Sequence, residues 1–391
     1  MHAQGLSFRR ATILLLVAAA SALQLIGCGT IPPNTPSAAP AEVPAPVPTE
    51  VRHYLYVTNS RDGTISAYSI NGRSGSLSAV PGSPFSVGPG PAGIAASSAR
   101  RMLYVASPMA DMVRVYSIAP STGALTGAGT LRVAAGSAPQ EVAVDLNGDL
   151  LAATNYGAAS LSLWAVASGG AAPAALSGSP FRTGSNPAGI AMDPSGKGVY
   201  VANNGSSDVS TYAFGRNGRE PTIARGRAAA AQAYPSGAAA DPTGRFLYVT
   251  NNGSGTVSGY AVAPDHASLD PLPGSPFAAG TSPWGVAAAP NGRFLYVANA
   301  SSATISAYRL GDDGDLAGVA GSPFATGPSP RGLAIDPDGG LLYVACYGSG
   351  QVFGYAIDPA AGALSPVDGS PFAAGRLPVS LVAVAVAVDA R

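Results

Sequence analysis

The chain is poor in charge, in cysteine and in histidine. Of its 391 residues 11% are charged, acids and bases balance at 21 each, and the formal net charge is zero. Without a basic surplus, or a basic stripe interleaved with aromatics, it has no electrostatic footprint for a polyanion, which excludes nucleic acid as an expected partner. The two cysteines, Cys28 and Cys346, have neither Cys-x-x-Cys nor metal-type spacing, so neither a disulfide framework nor a metal site is read. The three histidines are His2, His53 and His266. No Gly-rich loop opens a helix and no Ser-His-Asp set is readable, so no cofactor is expected and nucleotide and triad chemistry lack support. Glycine and proline, by contrast, are abundant, at 50 and 35 residues, within a composition that is 47% apolar. That mixture suits many short strands joined by tight turns and points to an all-β fold.

The first fifty residues carry an address. Arg9 and Arg10 precede an apolar run from Ala11 to Leu25, too short for a comfortable mature span but suited to a secretory signal. Leu25-Ile26-Gly27-Cys28 resembles the bacterial lipoprotein box, which implies cleavage after Gly27 and acylation of Cys28. Residues 1–27 are read as the signal. Residues 28–50 are the acylated cysteine and a Pro/Ala-rich spacer of extended geometry. Multiple acyl chains would hold the protein at a membrane, exported and anchored at the cell envelope.

From Tyr54 onward the sequence repeats with a period of 48 residues, as from Tyr56 to Tyr104 and from Tyr200 through Tyr248 to Tyr296. Tyr343 continues the column and Ala152 fills its missing step. A second column is Tyr68, Tyr116, Trp164, Tyr212, Tyr260, Tyr308 and Tyr355; a third is Pro91, Pro139, Pro187, Pro235, Pro283, Pro330 and Pro378. Each unit holds four strand-like segments rich in β-branched and aromatic residues. Turns such as Asp193-Pro194-Ser195-Gly196 and Asp336-Pro337-Asp338-Gly339 join the first segment to the second. Four strands per unit of this length predict a propeller blade, and seven units a seven-bladed β-propeller over residues 51–391. The first unit lacks its first strand; the C-terminal run Val379 to Val388 is expected to supply it and close the ring.

With the first strand of each blade lining the channel, the residues after the proline column belong at the funnel mouth. They read Ala92, Gln140, Ala188, Ser236, Trp284, Arg331 and Val379, followed by Gly93, Glu141, Gly189, Gly237, Gly285, Gly332 and Ser380. Five glycines suggest close backbone approach near the axis. The exceptions are the candidates: Glu141 as a general base, Arg331 for an anionic group or oxyanion, with Gln140, Trp284 and Arg331 as ligand contacts. Cys346 stands in a column otherwise held mainly by Asn (Asn59, Asn155, Asn203, Asn251, Asn299), which is read as capping its own turn. The stretch from Asn217 to Tyr234, with Arg219, Arg225 and Arg227, departs from the repeat.

Tyr-Val-Thr-Asn units together with Gly-Ser-Pro-Phe signatures (Gly82 to Phe85, Gly178 to Phe181, Gly274 to Phe277, Gly321 to Phe324, Gly369 to Phe372) resemble the YVTN-repeat and lactonase-type propellers. That family includes 6-phosphogluconolactonase-like hydrolases, muconate-type cycloisomerases and surface proteins. Its channel histidines have no counterpart in the columns of this chain, since His53 precedes the first repeated strand and His266 falls in a third-to-fourth-strand connection, expected on the opposite face. Two readings follow. One is an envelope-anchored binding or scaffold module whose mouth loops contact a ligand, glycan or protein. The other, implied by the resemblance, is a cofactor-free hydrolase of sugar-acid or similar lactones carried by Glu141 and Arg331.

Overall fold

Four of the second strands, Gly198–Asn203, Phe246–Asn251, Phe294–Asn299 and Leu341–Cys346, are buried at every position. Each lies in mid-sheet with a further sheet packed on either face, so the apolar run is continuous instead of alternating. The first strands are built differently. Pro235–Ala240 and Pro283–Ala288 are made largely of Ala and Gly, because neighbouring blades crowd the axis there. The computed structural model describes residues 50–167, 172–217 and 220–388. The expected signal, Cys28 and most of the spacer lie outside them, as does Arg219.

Within the described residues the chain forms seven antiparallel sheets of four strands in sequential order, a seven-bladed propeller. In six of them a two-residue segment, led by Phe85, Phe181, Phe277, Phe324 and Phe372 in the Gly-Ser-Pro-Phe blades, pairs with the near end of the third strand. The outer edge is thus covered in two pieces, which the sequence reading did not foresee. The stretch that departs from the repeat is a long hairpin, Asp208–Asn217 against Glu220–Arg225.

The ring closes as expected. Pro378–Ala387 forms the innermost strand of the first blade and pairs with Val51–Asn59 from Val51↔Ala387 to Asn59↔Pro378. Closure removes both free edges.

Two tyrosine columns stitch the blades together. Tyr56, Tyr248 and Tyr296 donate to the carbonyls of Gly123, Gly314 and Gly362 in the following blade, at 2.7, 2.8 and 3.0 Å. Tyr343 does the same across the seam to Gly75, at 2.8 Å. The second column reaches backward: Tyr260, Tyr308 and Tyr355 donate to the carbonyls of Ala230, Ala278 and Ala325 at 2.6, 2.5 and 2.9 Å. Each buried ring fills an inter-blade layer while its hydroxyl finds a partner at the layer's rim.

The asparagine column does not cap its own backbone as expected. Asn59 donates to Thr64 Oγ1 and Ser66 Oγ at 3.1 and 2.9 Å and accepts the Gly375 N–H at 3.0 Å; Asn251 and Asn299 repeat the pattern. The side chains point into the sheet, where neighbouring side-chain oxygens take their N–H groups and a backbone N–H of the preceding blade takes the oxygen of Asn59, Asn251 and Asn299. Cys346 replaces such an asparagine where Gln351 and Phe353 take the places of the two hydroxyl residues, so the asparagine and both of its hydroxyl partners are exchanged together.

Candidate functional site

The site is built where each first strand leaves the mouth. In the sixth and seventh blades the pairing of first and second strands shifts register between Pro283 and Val286 and between Pro330 and Leu333. The irregularity frees Trp284-Gly285 and Arg331-Gly332 from the ladder, and Trp284 and Arg331 line the opening. Where a second strand carries threonine it fixes the loop of the next blade from outside: Thr250 Oγ1 donates to the Trp284 carbonyl at 2.6 Å, as Thr58 does to Ala92 at 2.7 Å and Thr154 to Ala188 at 3.0 Å. The glycines of the next column are required by packing. A Cβ on Gly189, Gly237 or Gly285 would stand 2.2, 2.4 and 2.2 Å from the carbonyl oxygens of Ser236, Trp284 and Arg331.

All four sequence candidates come together. Gln140, Glu141, Trp284 and Arg331 line one cavity of about 160 Å³ at the axis. Trp284 and Arg331 also wall a groove of about 510 Å³ on the mouth face, shared with Asn252, Ser282, Ser301 and Ser329. The channel alone is smaller than the roughly 300 Å³ at which small-molecule pockets begin, so a ligand would occupy the groove and reach into the channel past those two side chains.

Arg331 is held by rings on both sides. Its guanidinium carbon lies 4.8 Å from the centre of the Trp284 ring and 3.6 Å from that of Tyr347. Burial pulls the guanidinium below its ordinary value, yet an arginine stays charged. Among the described residues it pairs with no carboxylate, and the groove lining contains no acid. A stacked cation without a counter-ion presents its N–H edge to an incoming anion or oxyanion. Tyr347, fixed by its N–H on the Ser329 carbonyl at 3.0 Å, was not found in the sequence. Its column reads Ser60, Pro108, Tyr156, Asn204, Asn252, Ala300 and Tyr347, with no consensus against which an exception stands out.

Glu141 sits deeper. Where five of the other six blades place glycine, its side chain folds over Gly93, on which a Cβ would stand 2.1 Å from Glu141 Oε1. Enclosure pushes the Glu141 carboxyl up to about 8, opposed only in part by hydrogen bonds from the Val142 and Ile94 N–H groups. Gln140 contributes its carbonyl to the Gly93 N–H at 2.9 Å and its residue to the channel wall.

The remaining candidates are structural. Cys346 is buried, within 3.8 Å of Thr326 Oγ1, and burial pushes its thiol up to about 11, so it is no mouth-face nucleophile. His266 lies on the opposite face. Its Nδ1 stands 3.4 Å from the Tyr200 hydroxyl, in the turn where other blades put the carbonyl-bearing glycine.

The fold and site agree with known proteins at the level of family. The sequence matches the family described as Lactonase, 7-bladed beta-propeller, over residues 54–177, 167–280 and 268–379. The chain belongs to this family. Among curated proteins none matches the sequence of this lactonase-family propeller. Among solved structures, a candidate 6-phosphogluconolactonase from Bacteroides uniformis is similar at 20% identity and TM-score 0.74, over 85% of this chain and 99% of that one. The periplasmic gluconolactonase of Pseudomonas aeruginosa is similar at 20% identity and TM-score 0.71, over 86% and 99%. At such identity the likeness is one of fold, and the chemistry of the lactonase-family mouth rests on its own residues.

Proposed function

We propose that the mouth binds and hydrolyses the lactone of a sugar acid. The observation that carries the reading is the stacked, unpaired Arg331 at the junction of groove and channel. The sugar ring lies on Trp284, its hydroxyls meet Asn252, Ser282, Ser301 and Ser329, and the ring carbonyl faces the guanidinium. Water attacks the carbonyl carbon and gives its proton to the Glu141 carboxylate. The resulting oxyanion is held by Arg331; when the intermediate collapses the ring C–O bond breaks and the ring oxygen recovers the proton from Glu141. A base near pKa 8 suits both transfers. Membership of the lactonase family and the likeness to a periplasmic gluconolactonase support the class of substrate. Export and acylation at Cys28, inferred from residues 1–28, would set this activity at the envelope.

The test is hydrolysis of a panel of sugar-acid lactones by the purified protein, beside Arg331→Ala and Glu141→Gln. Turnover above the buffer rate that both variants lose supports the reading. Tight binding without turnover supports instead the binding or scaffold module. One observation favours that second reading: Glu141 lines the narrow channel and not the groove, and both described histidines lie away from the mouth.

A further inference from the structure

On the face opposite the mouth, the ring seam gathers three ligand atoms from the two ends of the chain. His53, in the strand Val51–Asn59 of the first blade, offers Nδ1; Asp336 and Asp338, in the turn of the last blade, each offer a carboxylate oxygen, and all three atoms lie within 4.8 Å of one another. His53 Nδ1 and Asp338 Oδ2 are 3.6 Å apart, beyond a hydrogen bond but near the ~3.4 Å edge of a tetrahedron of ~2.1 Å metal bonds.

The equivalent turns show what is unusual here. In Asp193-Pro194-Ser195-Gly196 and Asp241-Pro242-Thr243-Gly244 the third residue is a hydroxyl that donates to the turn aspartate, Ser195 to Asp193 and Thr243 to Asp241. The seventh blade puts a second carboxylate, Asp338, at that position. Asp336 is buried, accepts the Leu341 N–H at 2.6 Å and is served by no side-chain donor. His53 Nδ1 is buried and has no hydrogen-bond partner. The donors nearby are committed elsewhere: Arg52 engages Glu50 and the Ser121 carbonyl, and the Tyr343 hydroxyl goes to Gly75. Two carboxylates and a ring nitrogen thus converge with no side-chain donor among the described residues.

We infer that His53, Asp336 and Asp338 form a binding site for a divalent transition metal, zinc or manganese, which clasps the first blade to the last. Two carboxylates neutralise the charge of a divalent ion, and the imidazole selects against magnesium and calcium. The cavity of about 840 Å³ beside the site, lined by His53 and Asp338, admits water to the remaining positions. Because both sides of the closing seam supply ligands, the ion binds the closed ring and not the opened one, and it stabilises by mass action.

The experiment strips the purified full chain with EDTA, then measures retained metal by elemental analysis and the melting temperature with zinc, manganese or magnesium chloride. One zinc or manganese per chain, with a rise of several degrees that magnesium does not give, is expected. Asp338→Ser recreates the turn of Asp193 and should melt cooperatively without metal while losing both the ion and the rise. His53→Gln, which leaves the turn untouched, should lose them too. A wild-type chain that retains no stoichiometric ion, or a response undiminished in both variants, overturns the inference. Neither result depends on lactone turnover.

Discussion

The Arg331 guanidinium stacks on the Tyr347 ring of its own blade at 3.6 Å. Planarity, and not charge alone, holds the cation in place, so Arg331→Lys should behave almost as badly as Arg331→Ala. A point charge on a flexible stem keeps the attraction but loses the stack and the fork of donors. Stacking on a half-buried ring is worth about 1–2 kcal/mol, so kcat/KM for a lactone substrate should fall about tenfold or more in Arg331→Lys. Tyr347→Ala should lose a similar factor while leaving the melting temperature within a few degrees of the parent.

Glu141 gives the activity and the stability opposite pH dependences. As a base it works only when ionised, so kcat/KM above the blank should rise through pH of about 8. Stability runs the other way. Its folded value lies near 8 and its ordinary value is 4.5, so between those limits the folded chain keeps a proton that the unfolded chain has released. Stability is fully present below about 4.5 and declines as pH rises toward 8. Glu141→Gln removes the penalty: calorimetry from pH 5 to 9 should find the variant more stable than the parent by on the order of 1–3 kcal/mol at pH 8, with little difference at pH 5. A constant difference across that range would contradict it.

Gly93→Ala tests the packing that creates this environment. The added Cβ would stand 2.1 Å from Glu141 Oε1 and 2.6 Å from Glu141 Cα, and a backbone atom cannot step aside cheaply. A loss of about 1–3 kcal/mol is expected, accompanied by a downward shift of the pH midpoint as the displaced carboxyl meets water.

Removing the chain after Pro378 takes away the partner of Val51–Val57 and reopens the ring. The loss should be global, on the order of the whole 5–15 kcal/mol of an ordinary folded chain. A truncated protein whose main transition coincides with the parent's would show that the blades melt independently.

Cys346 should resist thiol reagents in the native state, since it is fully buried and its thiolate forms only near pH 11. Labelling at neutral pH should follow the rate of unfolding. Reaction in seconds in the native protein would place the thiol at the surface.

The blade number, the strand order and the closing strand were legible because seven copies of one pattern expose it three times over, in tyrosines, aromatics and prolines. The mouth was legible for the same reason in negative: Glu141, Trp284 and Arg331 stood out as departures from small residues at the axis. What the sequence withheld depends on enclosure or on closure. The raised carboxyl of Glu141 comes from the atoms packed around it, Tyr347 belongs to a column without a rule, and His53 meets Asp336 and Asp338 only because the last strand returns to the first. The asparagines were misread because a loop-like letter in a repeat suggests a turn cap, whereas here the side chain faces a buried layer of hydroxyls.

The strand Val51–Asn59 is flanked on one side by Thr64–Ile70 and on the other by Pro378–Ala387. A pull on the chain at Glu50, directed along the strand, would load the hydrogen bonds of both flanks together in shear. The end by which this ring would be tethered is therefore among its mechanically strongest points, and force arriving there would be shared between the first and last strands before any single blade could be peeled away.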